Sequence, residues 1–360
     1  MSARIAGLTA ALVTVAIAGC GGGGGNQPQP VPQPPVTPDP WAPVTAELQA
    51  SSIDDLALIV GNASGEQYRF EKGGFRVANE YAIASASKWL TGATIVALVE
   101  QGVMSLADQP QDYLAYWTDD PADPRSRITL TQLLSFTSGF HRGPSLAGCI
   151  GDESYDVQSC VAEWYGIGVD AEPGTTYYYG PVHMQVAAAM AEIATGQSWS
   201  EITQLTVASP LGLSATGFAG DNPRASGSAT STALEYAEFL RAQLTGEFLA
   251  TGFDELADQR LDGVHIVSRP ASIEAANVDW YYGLGVWREC DAPTWNADCE
   301  ANVRISSPGA FGWYPWLDLE NGYYAVLAME ERFTFVNSPT EISAALGARL
   351  RPLILEALAN

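Results

Sequence analysis

The chain has 360 residues, 47 % of them hydrophobic and 16 % charged, which is enough apolar material for a sizeable core and rules out global disorder. Its 41 acidic against 17 basic residues give a formal net charge of −24, which argues against nucleic acid as a partner, since phosphate binding needs clustered cations. Only two of the cations are lysines, Lys72 and Lys88.

The N-terminus reads as an export signal. Arg4 is the lone cation ahead of an apolar run from Ile5 to Ala18, shorter than the roughly 20 residues a bilayer span needs. Ile17-Ala18-Gly19-Cys20 resembles a bacterial lipoprotein box. That resemblance implies removal of residues 1–19 and lipidation of Cys20, leaving an exported protein anchored to the periplasmic face of a membrane. A plain signal peptide with an incidental cysteine is the alternative. Gly21 follows Cys20 where an Asp is often linked to inner-membrane retention, which favours the outer membrane. Residues 20–44, five glycines and then a Gln/Pro-rich tract, bury too little apolar surface to fold and read as a linker. Residues 45–360 read as one domain.

Four further cysteines remain: Cys149, Cys160, Cys290 and Cys299. An even number in an exported protein suggests two disulfides. Of the three possible connectivities, Cys149–Cys160 and Cys290–Cys299 close the shortest loops at the least entropic cost. Neither pair has CxxC spacing or an adjacent histidine, and no glycine cluster has phosphate-loop form, so neither metal nor cofactor is expected.

Within the domain, Leu56–Val60 and Gln67–Phe70 read as strands around a turn at Gly61–Gly65. Ser87–Gln101 reads as a helix closed by Gly102, and Thr129 to Gln132 as another helix start. Val182–Ala194, closed by Gly196, and Thr232–Leu244 read as further helices. Two alternating runs, Trp313–Leu319 and Tyr323–Met329, flank Asn321-Gly322, a strong hairpin signal because both turn residues tolerate positive φ. Ser338 to Glu341 reads as a capping box opening a C-terminal helix to about Leu358. Strands at both ends with helices between predict a sheet built from the termini, a helical region, and a cleft between them.

Ser85-Ala86-Ser87-Lys88 carries chemistry at a plausible spacing. Positions i and i+3 share a helical face, so the Lys88 amine reaches the Ser85 hydroxyl. Alone the motif is weak, and a capped helix start with a solvated lysine would look the same. Other segments add context. Tyr81 to Phe140 joins the S-x-x-K helix to a G-x-x-x-L turn and a helix ending in Thr-Ser-Gly. Pro173-Gly174-Thr175 precedes Tyr179, and Ala225–Leu240 is a small-residue loop followed by a helix. Ser307-Pro308-Gly309-Ala310-Phe311-Gly312 then stands ahead of a strand. In order and spacing, these segments resemble the serine β-lactamase-like hydrolases, in the branch holding class C β-lactamases, D-Ala-D-Ala carboxypeptidases and related esterases.

The resemblance implies an α+β (α/β), β-lactamase-like or penicillin-binding-protein-like transpeptidase fold: an antiparallel sheet flanked by helices plus an all-helical region. It implies Ser85 as acylated nucleophile, Lys88 as its activating partner and Tyr179 as proton shuttle. The backbone N–H groups of Ser85 and Ala310 match the oxyanion hole. A serine hydroxyl needs a base, a lysine serves only with a lowered pKa, and a tyrosine only where positive charge favours phenolate.

Two departures bear on substrate. Pro181 stands at the family's Asn, and Ser307 at the Lys or His of the K-T-G/H-x-G element that includes Gly309. Losing that cation weakens recognition of free carboxylates unless another arginine, Arg304 for instance, compensates. The expected activity is therefore carboxylic-ester hydrolysis of a small, uncharged acyl substrate. D-alanyl-D-alanine carboxypeptidase or β-lactamase activity and a catalytically inactive binding protein are the alternatives. Aromatics around Ser307 (Trp280, Tyr281, Tyr282, Trp287, Trp295, Trp313, Tyr314 and Trp316) are expected mostly in the core, with the rest lining an acyl site rimmed by the Cys290–Cys299 loop. Rival systems lack support: there is no G-x-S-x-G or H-E-x-x-H, and of His141, His183 and His265 only His183 lies near Tyr179, where packing is its expected role.

Overall fold

The computed structural model describes residues 39–141, 148–270, 273–274, 278–331 and 338–360. The signal, Cys20 and the linker as far as residue 38 lie outside the described residues. The compact unit runs from Asp39 to Asn360, so it takes in the end of the stretch read as linker. A helix covers Ala42–Ala50 and buries Val44 and Leu48. Pro43 is tolerated in its first turn because the N–H it lacks would have no helical partner there.

Eleven strands follow in the described residues: β1 (Leu56–Asn62), β2 (Gly65–Lys72), β3 (Tyr81–Ala82), β4 (Thr176–Tyr178), β5 (Thr230–Ser231), β6 (His265–Ser268), β7 (Tyr281–Tyr282), β8 (Trp287–Arg288), β9 (Arg304–Ser306), β10 (Tyr314–Asp318) and β11 (Tyr323–Ala328). Seven form one sheet in the order β2-β1-β11-β10-β9-β8-β7, antiparallel throughout. Strands from toward the two chain ends, β1 and β11, thus share this sheet, as the sequence predicts. All of β10 and β11 is buried, and so is β1 up to Gly61. Successive side chains point to opposite faces, so these strands are covered on both sides. The helix Ala233–Leu244 packs on β1 and β11, while the helix Pro339–Leu358 packs on β10 and on Ala42–Ala50.

The caps behave as read. Thr129 and Gln132 form a capping box, Gly196 closes Val182–Thr195 in the left-handed region, and Ser338 accepts from the Glu341 amide. The hairpin differs in detail. Asp318 faces Tyr323 across it, leaving a four-residue loop in which Gly322 is left-handed and Asn321 is not. Asp318 Oδ1 accepts from both the backbone and side-chain amides of Asn321, which sets the turn in place of a two-residue connection. Both local disulfides form, with Cα separations of 5.4 Å for Cys149–Cys160 and 5.3 Å for Cys290–Cys299.

The helix Ser87–Glu100 is buried from Ser87 through Leu98, which explains an apolar sequence with no polar face. It runs through the core, and Ser85 stands at its entrance.

Candidate active site

Ser85 lies in a single 3₁₀ turn, Ala84–Ala86, leading into that helix. Ala84 has φ +47°, a left-handed conformation that is uncommon for a residue with a side chain. Its surroundings hold it there. The Ile83 amide donates to Ala229 O at 3.1 Å, next to the β3–β5 pair. Ser87 Oγ accepts from the Ala229 amide at 3.0 Å, and Tyr236 Oη donates to Ala86 O at 3.0 Å.

Lys88 is 4 % exposed, and its Nζ lies 3.0 Å from Ser85 Oγ and 2.6 Å from Ser226 O. Burial, aided by the charge of Arg224, holds its ammonium down to about 7. A sizeable fraction of neutral amine is therefore available near neutral pH. Tyr179 follows β4, its amide bonded to Ser268 O at 3.1 Å, and the centre of its ring lies 4.6 Å from Lys88 Nζ. Burial pushes the Tyr179 phenol well above its ordinary value, and a hydrogen bond with Ser85 offsets this only in part. The positive charge that was to favour phenolate does not win against desolvation. Tyr179 is therefore a neutral hydroxyl in the free protein, beside a Lys88 whose amine readily loses its proton.

His183 packs, as expected, but it also positions. Burial lowers it to about 3, so it is neutral, with Nδ1 2.8 Å from Ser138 Oγ and Nε2 3.0 Å from Tyr178 O. It thereby ties the Thr-Ser-Gly loop to the backbone that presents Tyr179.

Ser85, Lys88 and Tyr179 line one cleft of about 280 Å³ with Ala84, Gly180, Pro181, Arg224, Ser226, Gly227, Ala310 and Phe311. Pro181 and Ala310 are among the lining residues. Ser307 and Gly309 are not among the lining residues and serve as supports. Ser307 is buried and its hydroxyl donates to Ser85 O at 2.9 Å. The Gly309 amide donates to Trp313 O at 2.7 Å and its carbonyl accepts from Thr340 Oγ1 at 2.8 Å. A Cβ on Gly309 would stand 2.3 Å from Ile83 O, so only glycine lets this segment after β9 approach the turn before Ser85.

Three expectations are corrected. Arg304 does not line the cleft; it sits on β9, where its carbonyl accepts from the Glu289 amide. The cation present is Arg224, which sequence reasoning missed because nothing in a loop's composition reveals which way a long side chain turns. None of the eight aromatics around Ser307 lines the cleft. Trp287, Trp313, Trp316, Tyr282 and Tyr314 are core residues, and the aromatic groups facing Ser85 are Tyr179 and Phe311. The Cys290–Cys299 loop does not rim this cleft. Its Trp295 lies over Arg288, with the guanidinium carbon 5.4 Å from the ring centre, and both line a different cavity. Among the described residues, no group of three or more His, Cys, Asp or Glu side chains is arranged to hold a metal.

The arrangement suits nucleophilic acyl transfer: a half-exposed hydroxyl, a desolvated amine at hydrogen-bonding distance, and a phenol beside both. Known proteins share this fold. A crystal structure assigned as a beta-lactamase from Bacteroides dorei DSM 17855 is 25 % identical, with a TM-score of 0.73, covering 87 % of this chain and 97 % of that one. EstCE1, described as a hydrolase with promiscuous acyltransferase activity, shares the fold at 15 % identity and a TM-score of 0.68, over 86 % of this chain and 96 % of its own. Penicillin-binding protein 4 of Amycolatopsis lactamdurans is 26 % identical over 155 residues, 42 % of this chain. That match spans only 39 % of the relative's length. The model of the beta-lactamase family matches residues 55–333, and the chain belongs to that family and has its serine-hydrolase fold.

Proposed function

We propose that the protein is a serine hydrolase that works through an acyl-enzyme on Ser85 and that its substrates are small carboxylic esters. The observation that carries this reading is the buried Lys88 amine, 3.0 Å from Ser85 Oγ and held near pH 7 in its base equilibrium. Lys88 accepts the Ser85 proton as Oγ attacks the ester carbonyl carbon. The amides of Ser85 and Ala310 receive the oxyanion, a contribution typically worth about 10²–10³ in rate per donor. Tyr179, neutral and beside both groups, passes the proton to the leaving alkoxide. A water then attacks the acyl-enzyme by the same relay in reverse, releasing the acid.

Ester rather than amide substrates fit the walls. Pro181 offers no carboxamide to orient a substrate amide, and Ser307 spends its hydroxyl on Ser85 O. Ala84, Pro181, Ala310 and Phe311 give the cleft an apolar lining. A p-nitrophenyl acyl series tested beside a chromogenic cephalosporin decides the point. Ester turnover is expected to exceed lactam turnover by at least about 10²-fold in kcat/KM, with a fluorophosphonate adduct on the peptide that contains Ser85. Rapid cephalosporin cleavage would establish the amide reading instead, and absence of any adduct would make this a binding protein.

The same proposal has the domain exported and tethered through lipidated Cys20; two disulfides in one small domain support an oxidising compartment. On detergent phase separation, the wild type is expected in the detergent phase and Cys20→Ala in the aqueous phase. Wild type in the aqueous phase would refute the anchor.

A further inference from the structure

We infer that Arg224 recognises a carboxylate on the substrate, so that the esters hydrolysed at Ser85 carry an anionic group. The inference rests on the ester reading above and names its substrate class. Arg224 lines the Ser85 cleft and also a second cavity of about 390 Å³, shared with Gly151, Glu153, Asp221, Asn222 and Ser228. Its side chain therefore stands at the junction of the two spaces. A Cβ placed on Gly151 would lie 4.0 Å from Arg224 Nη2, which puts the guanidinium against that segment of the second cavity.

The backbone on either side of Arg224 is locked. Gln185, fully buried, donates to Pro223 O at 3.0 Å and accepts from the Ala225 amide at 3.1 Å, gripping the chain before and after the arginine. Its amide also donates to Asn222 Oδ1 at 3.0 Å. Asn222 in turn donates to Cys149 O at 2.7 Å and Asp152 O at 3.1 Å, tying the loop to the disulfide-bonded segment that carries Gly151. Arg224 O accepts from the Gly227 and Ser228 amides at 2.9 and 3.0 Å. Such fixing lowers the ordering cost of a bound ligand.

The head group itself is left available. In a chain with 41 acidic residues, seven of the twelve arginines among the described residues pair with a carboxylate: Arg69, Arg125, Arg127, Arg241, Arg260, Arg349 and Arg351. Among the described residues, the Arg224 guanidinium has no ion pair and no hydrogen bond in the protein. The acids that share its second cavity, Glu153 and Asp221, are exposed and form no salt bridge with it. Arg224 is only partly buried, and its guanidinium presents a planar fork matched to a carboxylate. Lining one cleft with Ser85, Lys88 and Tyr179, it stands within reach of a substrate held at Ser85.

The test uses matched esters that differ by one carboxylate. In the acyl arm, mono-p-nitrophenyl glutarate is compared with p-nitrophenyl valerate; in the leaving-group arm, 3-carboxyphenyl valerate is compared with phenyl valerate. Each hydrolysis breaks the ester C–O bond, transfers the acyl group to Ser85 Oγ and then to water. Wild type is expected to favour the carboxylate member of at least one pair by about 10-fold in kcat/KM. The arm that shows the preference locates the anion. Arg224→Gln is expected to abolish that preference and Arg224→Lys to retain part of it. Losing the arginine also changes the basicity of Lys88, but this affects both members of a pair equally, so the ratio isolates recognition. Identical ratios in wild type and Arg224→Gln, in both arms, would overturn the inference and leave the ester reading standing. No turnover of any ester by the folded wild type would overturn the ester reading and this inference with it.

Discussion

Ser85→Ala, Lys88→Met and the double variant are expected to lose ester turnover alike, each by at least about 10⁴-fold in kcat/KM. Nucleophile and base act as a unit, so once either is gone the other has nothing to contribute and the losses do not add. In the wild type, the rate should climb tenfold per pH unit at acid pH and level off around pH 7, where Lys88 gives up its proton. Lys88→Met should also be more stable than the wild type. Lys88 titrates at about 7 in the folded chain against an ordinary 10.5, so between these values the unfolded chain binds the extra proton. Stability therefore rises with pH across that window, and the cost of burying the lysine is full below pH 7 and gone above 10.5. Methionine removes this cost but forfeits the contacts to Ser85 and Ser226. The net gain should be about 1–3 kcal/mol at pH 6 and shrink toward pH 10. Turnover by p-nitrophenol release and thermal melts at the two pH values measure both effects. A Lys88→Met enzyme within tenfold of wild type would place the base elsewhere.

The parts of this molecule legible in its sequence are those set by short-range physics. The Ser85–Lys88 contact follows from helical spacing, the caps at Thr129 and Ser338 from side chains three residues away, and the disulfides from loops of 11 and 9 residues. That β1 and β11 share one sheet was readable because both are short apolar runs toward opposite chain ends, with a helical middle between them; their direct pairing was not. What stayed hidden depends on contacts between distant segments. The hydroxyl of Ser307 meets the carbonyl of Ser85 across 222 residues, and no local pattern could assign it a supporting role. Gly309 is needed because Ile83 O crowds it, which only the packed sheet reveals. Arg224 and Arg304 are equally plausible cations by composition. Their different fates follow from one lying on a loop at the cleft and the other on a strand of the sheet. Tyr179 shows the same limit in energetic form: its register predicted its place beside Lys88, but its protonation state is decided by how deeply the surrounding aromatics bury it.

Arg351→Met is expected to destabilise the fold by about 3–5 kcal/mol, roughly 5–8 °C in Tm, while Glu289→Met/Arg351→Met should recover most of that loss. The Glu289 side chain is 1 % exposed and pairs with Arg351 of the C-terminal helix, with Arg351 Nη2 2.9 Å from Glu289 Oε1. Tyr314 closes the cluster, donating to Glu289 Oε1 at 2.8 Å and accepting from Arg351 at 2.8 Å. Burial alone would raise the Glu289 carboxyl, but the Arg351 charge outweighs it and holds the group below its ordinary 4.5. The pair therefore contributes stability above the ordinary carboxylate range and loses it as the pH falls through the lowered value. Removing Arg351 inverts this. The carboxyl keeps the desolvation, opposed now only by hydrogen bonds from Tyr314 and Ser306, so it rises above 4.5, and the variant's stability then falls as the pH rises through that higher value. The deficit relative to wild type should be small at pH 4.5 and largest near pH 8. An equal deficit at both pH values, or a double variant no better than Arg351→Met, would mean that lost packing rather than stranded charge is responsible. The consequence for function is indirect but physical. Glu289 follows β8 and Tyr314 opens β10, the two neighbours of β9, whose end leads into Ser307 and its bond to the carbonyl of Ser85. Heat inactivation of Arg351→Met should therefore track its lowered Tm, with turnover at 25 °C close to that of the wild type.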